Sequence, residues 1–98
     1  MNELIRLIEE WALARGIFSK ATSASQFEKT VEEIGELARA LIEDDGDKTK
    51  DAIGDVVVTL VILARMQGTS LYECVDLAYE QIANRKGKMI DGVFVKEQ

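Results

Sequence analysis

Apolar residues recur along the chain at the helical period in four segments joined by short polar links. Residues 2–15 carry Leu4, Ile5, Ile8, Trp11 and Ala12 on one stripe, and Gly16 closes the segment. GIFSKATSAS (16–25), rich in small and hydroxylated residues, reads as a loop. Ser25 and Glu28 have the spacing of a capping box, which starts a second helix running to about Asp44. Its apolar residues Phe27, Val31, Ile34, Leu37, Ala38 and Leu41 share one face, the pattern of a core-facing stripe. DDGD (44–47) is a turn, and Asp47 is placed to cap a third helix that runs to about Gln67. Gly68 stops that helix, and Ser70-Leu-Tyr-Glu73 is a second capping box, opening a fourth helix to about Arg85. In the closing KGKMIDGVFVKEQ, Val93-Phe94-Val95 is expected as an extended strand or ordered arm.

The third segment contains IGDVVVTLVIL, whose β-branched residues also suit a buried strand. Its length decides for helix, because about twenty residues separate the turn from Gly68 and a strand usually has roughly 5–6. The fold class expected is therefore all-α, an antiparallel four-helix bundle with a short C-terminal extended arm. With 98 residues and no linker-like or repeated stretch, the chain reads as one domain over residues 1–98. There is no proline to interrupt the helices.

Composition narrows the chemistry. At 47% hydrophobic and 31% charged residues, the chain matches neither a disordered nor a membrane-spanning composition. MNELIRLIEEW alternates charged and apolar residues, unlike a secretory signal, so a cytoplasmic protein is expected. One cysteine, Cys74, allows no internal disulfide and no zinc site by itself; on the fourth helix it is expected in the core. Histidine is absent altogether, which removes Ser-His-Asp and Cys-His catalysis and histidine-ligated zinc. Twelve basic against 18 acidic residues give a net charge of −6, which argues against nucleic acid or an anionic membrane as partner. A small anionic substrate stays possible if a cation bridges it to the protein.

Carboxylates are the chemistry that remains. In KTVEEIGEL, Lys29, Glu33 and Glu36 fall within about 60° of one another around the helix. Glu32 and Glu36 are i,i+4 neighbours that repel by a few tenths of a kcal/mol. Taken alone, such a run also suits an ordinary solvated helix face. On the third helix Asp51 and Asp55 share a face, and from Ala52 to Ala64 only Gly54, Asp55 and Thr59 interrupt the apolar residues. Such a helix is expected to be covered on every side, which puts Asp55 in the interior, where its charge needs a proton, a basic partner or a cation. Lys50 and Arg65 stand at neither i±3 nor i±4 of Asp55. If the two helices pack antiparallel, Glu33, Glu36 and Asp55 converge, and a divalent cation relieves their repulsion. All-oxygen ligands select Mg²⁺ or Mn²⁺.

EKTVEEIGELARAL followed by KDAIGDVVVTLVILA resembles the MazG-like nucleotide pyrophosphohydrolases of the all-α NTP pyrophosphatase superfamily. That family's signature is EExxE on one helix and ExxD on the next. Glu32, Glu33 and Glu36 supply the first half; in the second, Asp55 matches, Ala52 stands where the glutamate belongs, and Asp51 is the nearby acid. WALARGIF and IANRKGKMIDGVFV extend the likeness to small phage-type or bacterial stand-alone members. The resemblance implies an Mg²⁺-dependent hydrolase that splits a nucleoside triphosphate into monophosphate and pyrophosphate, with Glu32, Glu33, Glu36 and Asp55 as catalytic residues. Glu33, Glu36, Asp55 and Asp51 are then the candidate metal ligands, with Glu32 and Asp51 alternatives for the general base.

Lys29, Asn84, Arg85 and Lys88 are candidate contacts to phosphate or sugar, Arg85 offering forked donors. The NRKGK run equally suits a solvated helix end. Trp11 could stack on a base, as could Tyr79, although an indole on an apolar stripe more often belongs to the core. The nearly all-apolar third helix is expected to pack on a symmetry mate in a homodimer or homotetramer. Two other readings stand beside this one: a noncatalytic acidic helical adaptor whose third helix is only a dimerisation seam, and a phosphoribosyl-ATP pyrophosphohydrolase-like enzyme.

Overall fold

The computed structural model describes residues 1–97. In chain order its elements are α1 (Asn2–Ala14), α2 (Ile17–Lys20), α3 (Ser23–Ile42), α4 (Gly46–Met66), α5 (Leu71–Ile82), β1 (Gly87–Ile90) and β2 (Val93–Lys96). The protein is thus mostly helical, as expected, with a short antiparallel hairpin at its end.

Helix boundaries follow hydrogen-bonding side chains, and two differ from the sequence expectation. α3 begins one turn earlier than the Ser25–Glu28 box. Thr22 Oγ1 accepts from the Ser25 backbone N–H at 3.0 Å, and Ser25 Oγ accepts from the Thr22 N–H at 3.0 Å. This reciprocal pair satisfies two otherwise free donors and shortens the expected loop, which also contains the single turn α2. α4 is capped by Asp45, which accepts from the Lys48 N–H at 3.0 Å, rather than by Asp47. The chain reverses at Asp44, whose φ of 53° completes the turn before Asp47 is reached. α5 starts at its expected cap, with Ser70 Oγ accepting from the Glu73 N–H at 3.2 Å, but ends at Ile82.

α3 and α4 are the framework. They run antiparallel after a tight turn and are stitched at the far end by Gln26 Nε2 donating to the Thr59 carbonyl at 3.1 Å and Gln67 Nε2 donating to Ser23 Oγ at 2.7 Å. α1 leans on α4, and Arg65 Nε donates to Glu9 at 2.7 Å across that contact. The buried apolar residues are Ile5, Ala12, Ala40, Ala52, Val61, Ile62 and Ala64, a thin core made largely of alanine.

The expected core face of α3 is corrected. Phe27, Val31, Ile34 and Leu41 are between 49% and 61% exposed, whereas Gln26, Thr30 and Ala40 are buried against α4. The polar members of that seam tolerate burial because Gln26 bonds to α4 and Thr30 Oγ1 donates to the Gln26 carbonyl at 3.1 Å. Cys74 is likewise exposed rather than in the core.

α5 turns by 100° from α4 instead of running back along it, so four helices do not close into one bundle within the chain. Beyond it the hairpin turns at Asp91-Gly92, with φ of 50° and 82°, the two left-handed residues of a type I′ turn. Gly87 is required at its partner strand: a Cβ there would run into the Val95 carbonyl oxygen and the Phe94 ring. No single described helix is long and apolar enough to cross a membrane.

Candidate active site

The antiparallel α3–α4 pairing sets residues 33–40 beside residues 51–55. Between them lies a cavity of about 260 Å³ lined by Glu33, Glu36, Arg39, Ala40, Glu43, Lys48, Asp51, Ala52 and Asp55. Four of the carboxylates expected at the site therefore share one cavity. Glu33 is the most enclosed of the α3 acids, its side chain 16% exposed, and Asp55 is half-buried rather than fully interior. The relief is that α4 is uncovered along part of its length, where Ile53 is exposed and Val56, Val57 and Val58 are only half-buried.

Side-chain cations neutralise much of this charge. Lys29 Nζ stands 3.4 Å from Glu33 and 3.5 Å from Glu32, Arg39 Nη1 3.4 Å from Glu36, and Lys48 Nζ 3.4 Å from Glu43. The hydrogen bond to Glu33, reinforced by the charge of Glu32, holds the Lys29 ammonium above its ordinary pKa. Asp51 and Asp55 have no ion-pair partner among the described residues. Among the described residues no three acidic groups stand close enough to hold one ion in this arrangement. The donor set itself, all carboxylate oxygen with two members unpaired, fits a hard divalent cation such as Mg²⁺.

Asp51 and Asp55 also border a second space, a groove of about 650 Å³ between α1 and α4, with Leu4, Ile5, Ile8, Val57, Val58 and Val61 as apolar walls. The acid cavity and the apolar groove thus meet at two aspartates. A third cavity, about 590 Å³ between α1, α2 and the end of α4, holds none of the site carboxylates, and its Arg6, Glu9, Glu10 and Arg65 are paired with acids or bases nearby.

The remaining expected residues fall elsewhere. Glu32 lies outside the cavity lining, beside Lys29. Trp11 lines neither the acid cavity nor the groove, and the Arg15 guanidinium sits 4.4 Å from its ring centroid. Tyr79 is exposed. Asn84, Arg85 and Lys88 belong to the exposed segment after α5 and do not line the acid cavity. Arg39, Lys48 and the apolar groove were not anticipated. Arg39 carried a readable signal, its i+3 spacing from Glu36; the groove did not, because it depends on how α1 crosses α4.

The sequence profile of the MazG nucleotide pyrophosphohydrolase domain matches residues 21–90, a span that contains every carboxylate of the cavity. The chain belongs to the MazG family. The family is one of nucleotide pyrophosphohydrolases, and its enzymes generally depend on a divalent metal. The MazG match begins after α1, so the α1 wall of the groove lies outside it. A curated relative, an uncharacterized 18.2 kDa protein in the rep-hol intergenic region of Haemophilus phage HP1 (strain HP1c1), is 42% identical over 65 residues. That alignment covers 66% of this chain and 40% of the phage protein, so this MazG chain spans less than half of its relative's length. No solved structure matches the chain.

Proposed function

We propose that the chain is a Mg²⁺-dependent nucleoside triphosphate pyrophosphohydrolase, converting an NTP or dNTP and water to the monophosphate and pyrophosphate. The observation that carries this reading is the junction of an acid cavity with an apolar groove at Asp51 and Asp55. A triphosphate over the carboxylates leaves its base and sugar to the groove, and α1, outside the family match, supplies one wall that selects among bases.

Glu33, Glu36 and Asp55 would hold the cation, with Asp51 beside them. When bound, it supplies the positive charge that a chain of net charge −6 lacks toward a polyphosphate, and Lewis acidity toward the phosphoryl group. Asp51 lines both spaces and has no ion-pair partner among the described residues, so it is our base for the proton of the attacking water. Glu32 is the poorer choice because Lys29 engages it and it lies outside the lining. Lys29 and Arg39, now on Glu33 and Glu36, become donors to phosphate oxygens once those carboxylates bind a cation. The working unit is taken as a homodimer, because the apolar row of α3 and several hydrophobic side chains of α1 face outward in one chain. The cell compartment taken for it is the cytoplasm.

The test is incubation of the full chain with a panel of NTPs and dNTPs, with Mg²⁺ or with EDTA, reading monophosphate and pyrophosphate. Turnover is expected only with the metal and is expected to fall at least about 100-fold in Glu36→Gln and in Asp55→Asn. The same variants should lose any rise in melting temperature that Mg²⁺ gives the wild type. A diphosphate product with orthophosphate would place cleavage at the wrong bond. Unchanged turnover in both variants would remove these carboxylates from the centre and favour the adaptor reading.

A further inference from the structure

Residues 72–97 are all exposed. They hold a helix of 12 residues and a hairpin of two four-residue strands, each marginal in water without a surface to pack on. α5 meets the body near its start, where Leu71, Tyr72 and Val75 share a cavity with Met1, Asn2 and Ile5. The 100° bend carries everything beyond it away from α4. The hairpin is apolar on both faces. Its register sets Met89 opposite Phe94 on one side, and Ile90 opposite Val93 with neighbouring Val95 on the other. Such a structure is an arm without its seat.

Charge and area identify the seat. After α5 the hairpin segment carries Arg85, Lys86, Lys88 and Lys96 against Asp91 and Glu97, a net +2, α5 itself carries Glu73, Asp76 and Glu80, and residues 1–70, with 8 cations and 13 carboxylates, are at −5. None of those four cations has an ion-pair partner among the described residues. The apolar row of α3 (Phe27, Val31, Ile34, Leu41) is bordered by Glu28 and Glu32, and Glu28 is also unpaired among the described residues. The chain exposes 7496 Å², against about 5,600 Å² for a compact protein of its mass. The excess is well above the roughly 800 Å² per partner that a stable interface removes.

We propose that α5 and the hairpin of one chain lie across the α3 row of a second copy, and that the second copy returns the same contact. Two-fold symmetry then seats both arms, covers both rows and places the basic stretch that follows α5 on an acidic body. The proposal rests on the homodimer reading above and adds the element that joins the two copies.

Single cysteines test it without substrate or metal. In a Cys74→Ser background, full chains carrying Val31→Cys and Phe94→Cys are mixed, allowed to exchange, and oxidised; Ile34→Cys with Met89→Cys is a second pair. All four positions are exposed, and unchanged helical circular dichroism checks the fold. A mixed disulfide species at twice 10.9 kDa, lost on reduction, is expected for at least one pair. A wild-type chain that sediments as a dimer but yields no mixed species with either pair would overturn the arm and leave the dimer. Closure of a doubly substituted chain on itself would also overturn it, by placing the arm on its own body. A wild-type chain that sediments as a monomer at about 50 µM would overturn both readings.

Discussion

Lys29 shows how one side chain couples the charge of the site to pH. It reaches Glu33 first and Glu32 second, and both hold its proton more firmly than water does. A lysine raised in the folded state contributes stability that is fully present below its ordinary 10.5 and is lost as pH rises through the folded value. The melting-temperature gap between wild type and Lys29→Met should therefore stay constant around neutrality and close only in alkali above 10.5. The gap itself is small, a few tenths of a kcal/mol, because the lysine is half-exposed and its field is screened. At neutral pH the same substitution should raise KM for the triphosphate several-fold if the ammonium also meets phosphate. Thermal melts across pH and steady-state kinetics separate the two effects.

Among the elements, α3 carries the most instructive difference between pattern and packing. Its cap is Thr22 with Ser25, so Thr22→Ala should cost about 1 kcal/mol of stability while Glu28→Ala stays within about 0.5, measured by denaturant unfolding. Sequence showed the long helices because apolar spacing and Gly16 and Gly68 mark them plainly. It misplaced the start of α3 because two overlapping box patterns compete in TSASQFE, and the earlier one adds a helical turn. The stripe from Phe27 to Leu41 was equally visible, but periodicity says that a face is apolar without saying which molecule covers it. Gln26 and Thr30 took the inner side instead, Gln26 by bonding to the α4 backbone and Thr30 by satisfying its hydroxyl on its own helix. The hairpin had its own signal in MIDGVFV, where Asp-Gly sits between apolar runs. On the candidate site, the carboxylates stood out because Asp55 interrupts a nearly all-apolar helix, whereas Arg39 and Lys48 look like any solvated cation until the cavity brings them in.

At the scale of the whole molecule, a radius of gyration of 15.8 Å is well above the roughly 13 Å of a compact chain this long. Most large apolar side chains stay exposed in one chain, since the buried apolar residues are mostly small, and the homodimer proposed above would cover part of them. Thermal stability should therefore depend on protein concentration. Between about 1 and 100 µM the melting temperature should climb by several degrees in the wild type, and Val31→Asp, which charges the α3 row, should flatten that slope. A slope of zero in the wild type would mean that one chain is the stable unit. The same openness has a cost. Among the described residues β1 and β2 pair only with each other, so each offers an outer row of amides and carbonyls to any passing strand. Val93-Phe94-Val95 is the kind of short greasy run that templates fibrils, with Asp91, Lys96 and Glu97 as its gatekeepers. If nothing covers the hairpin, its open edges make it the segment of the chain that seeds aggregates.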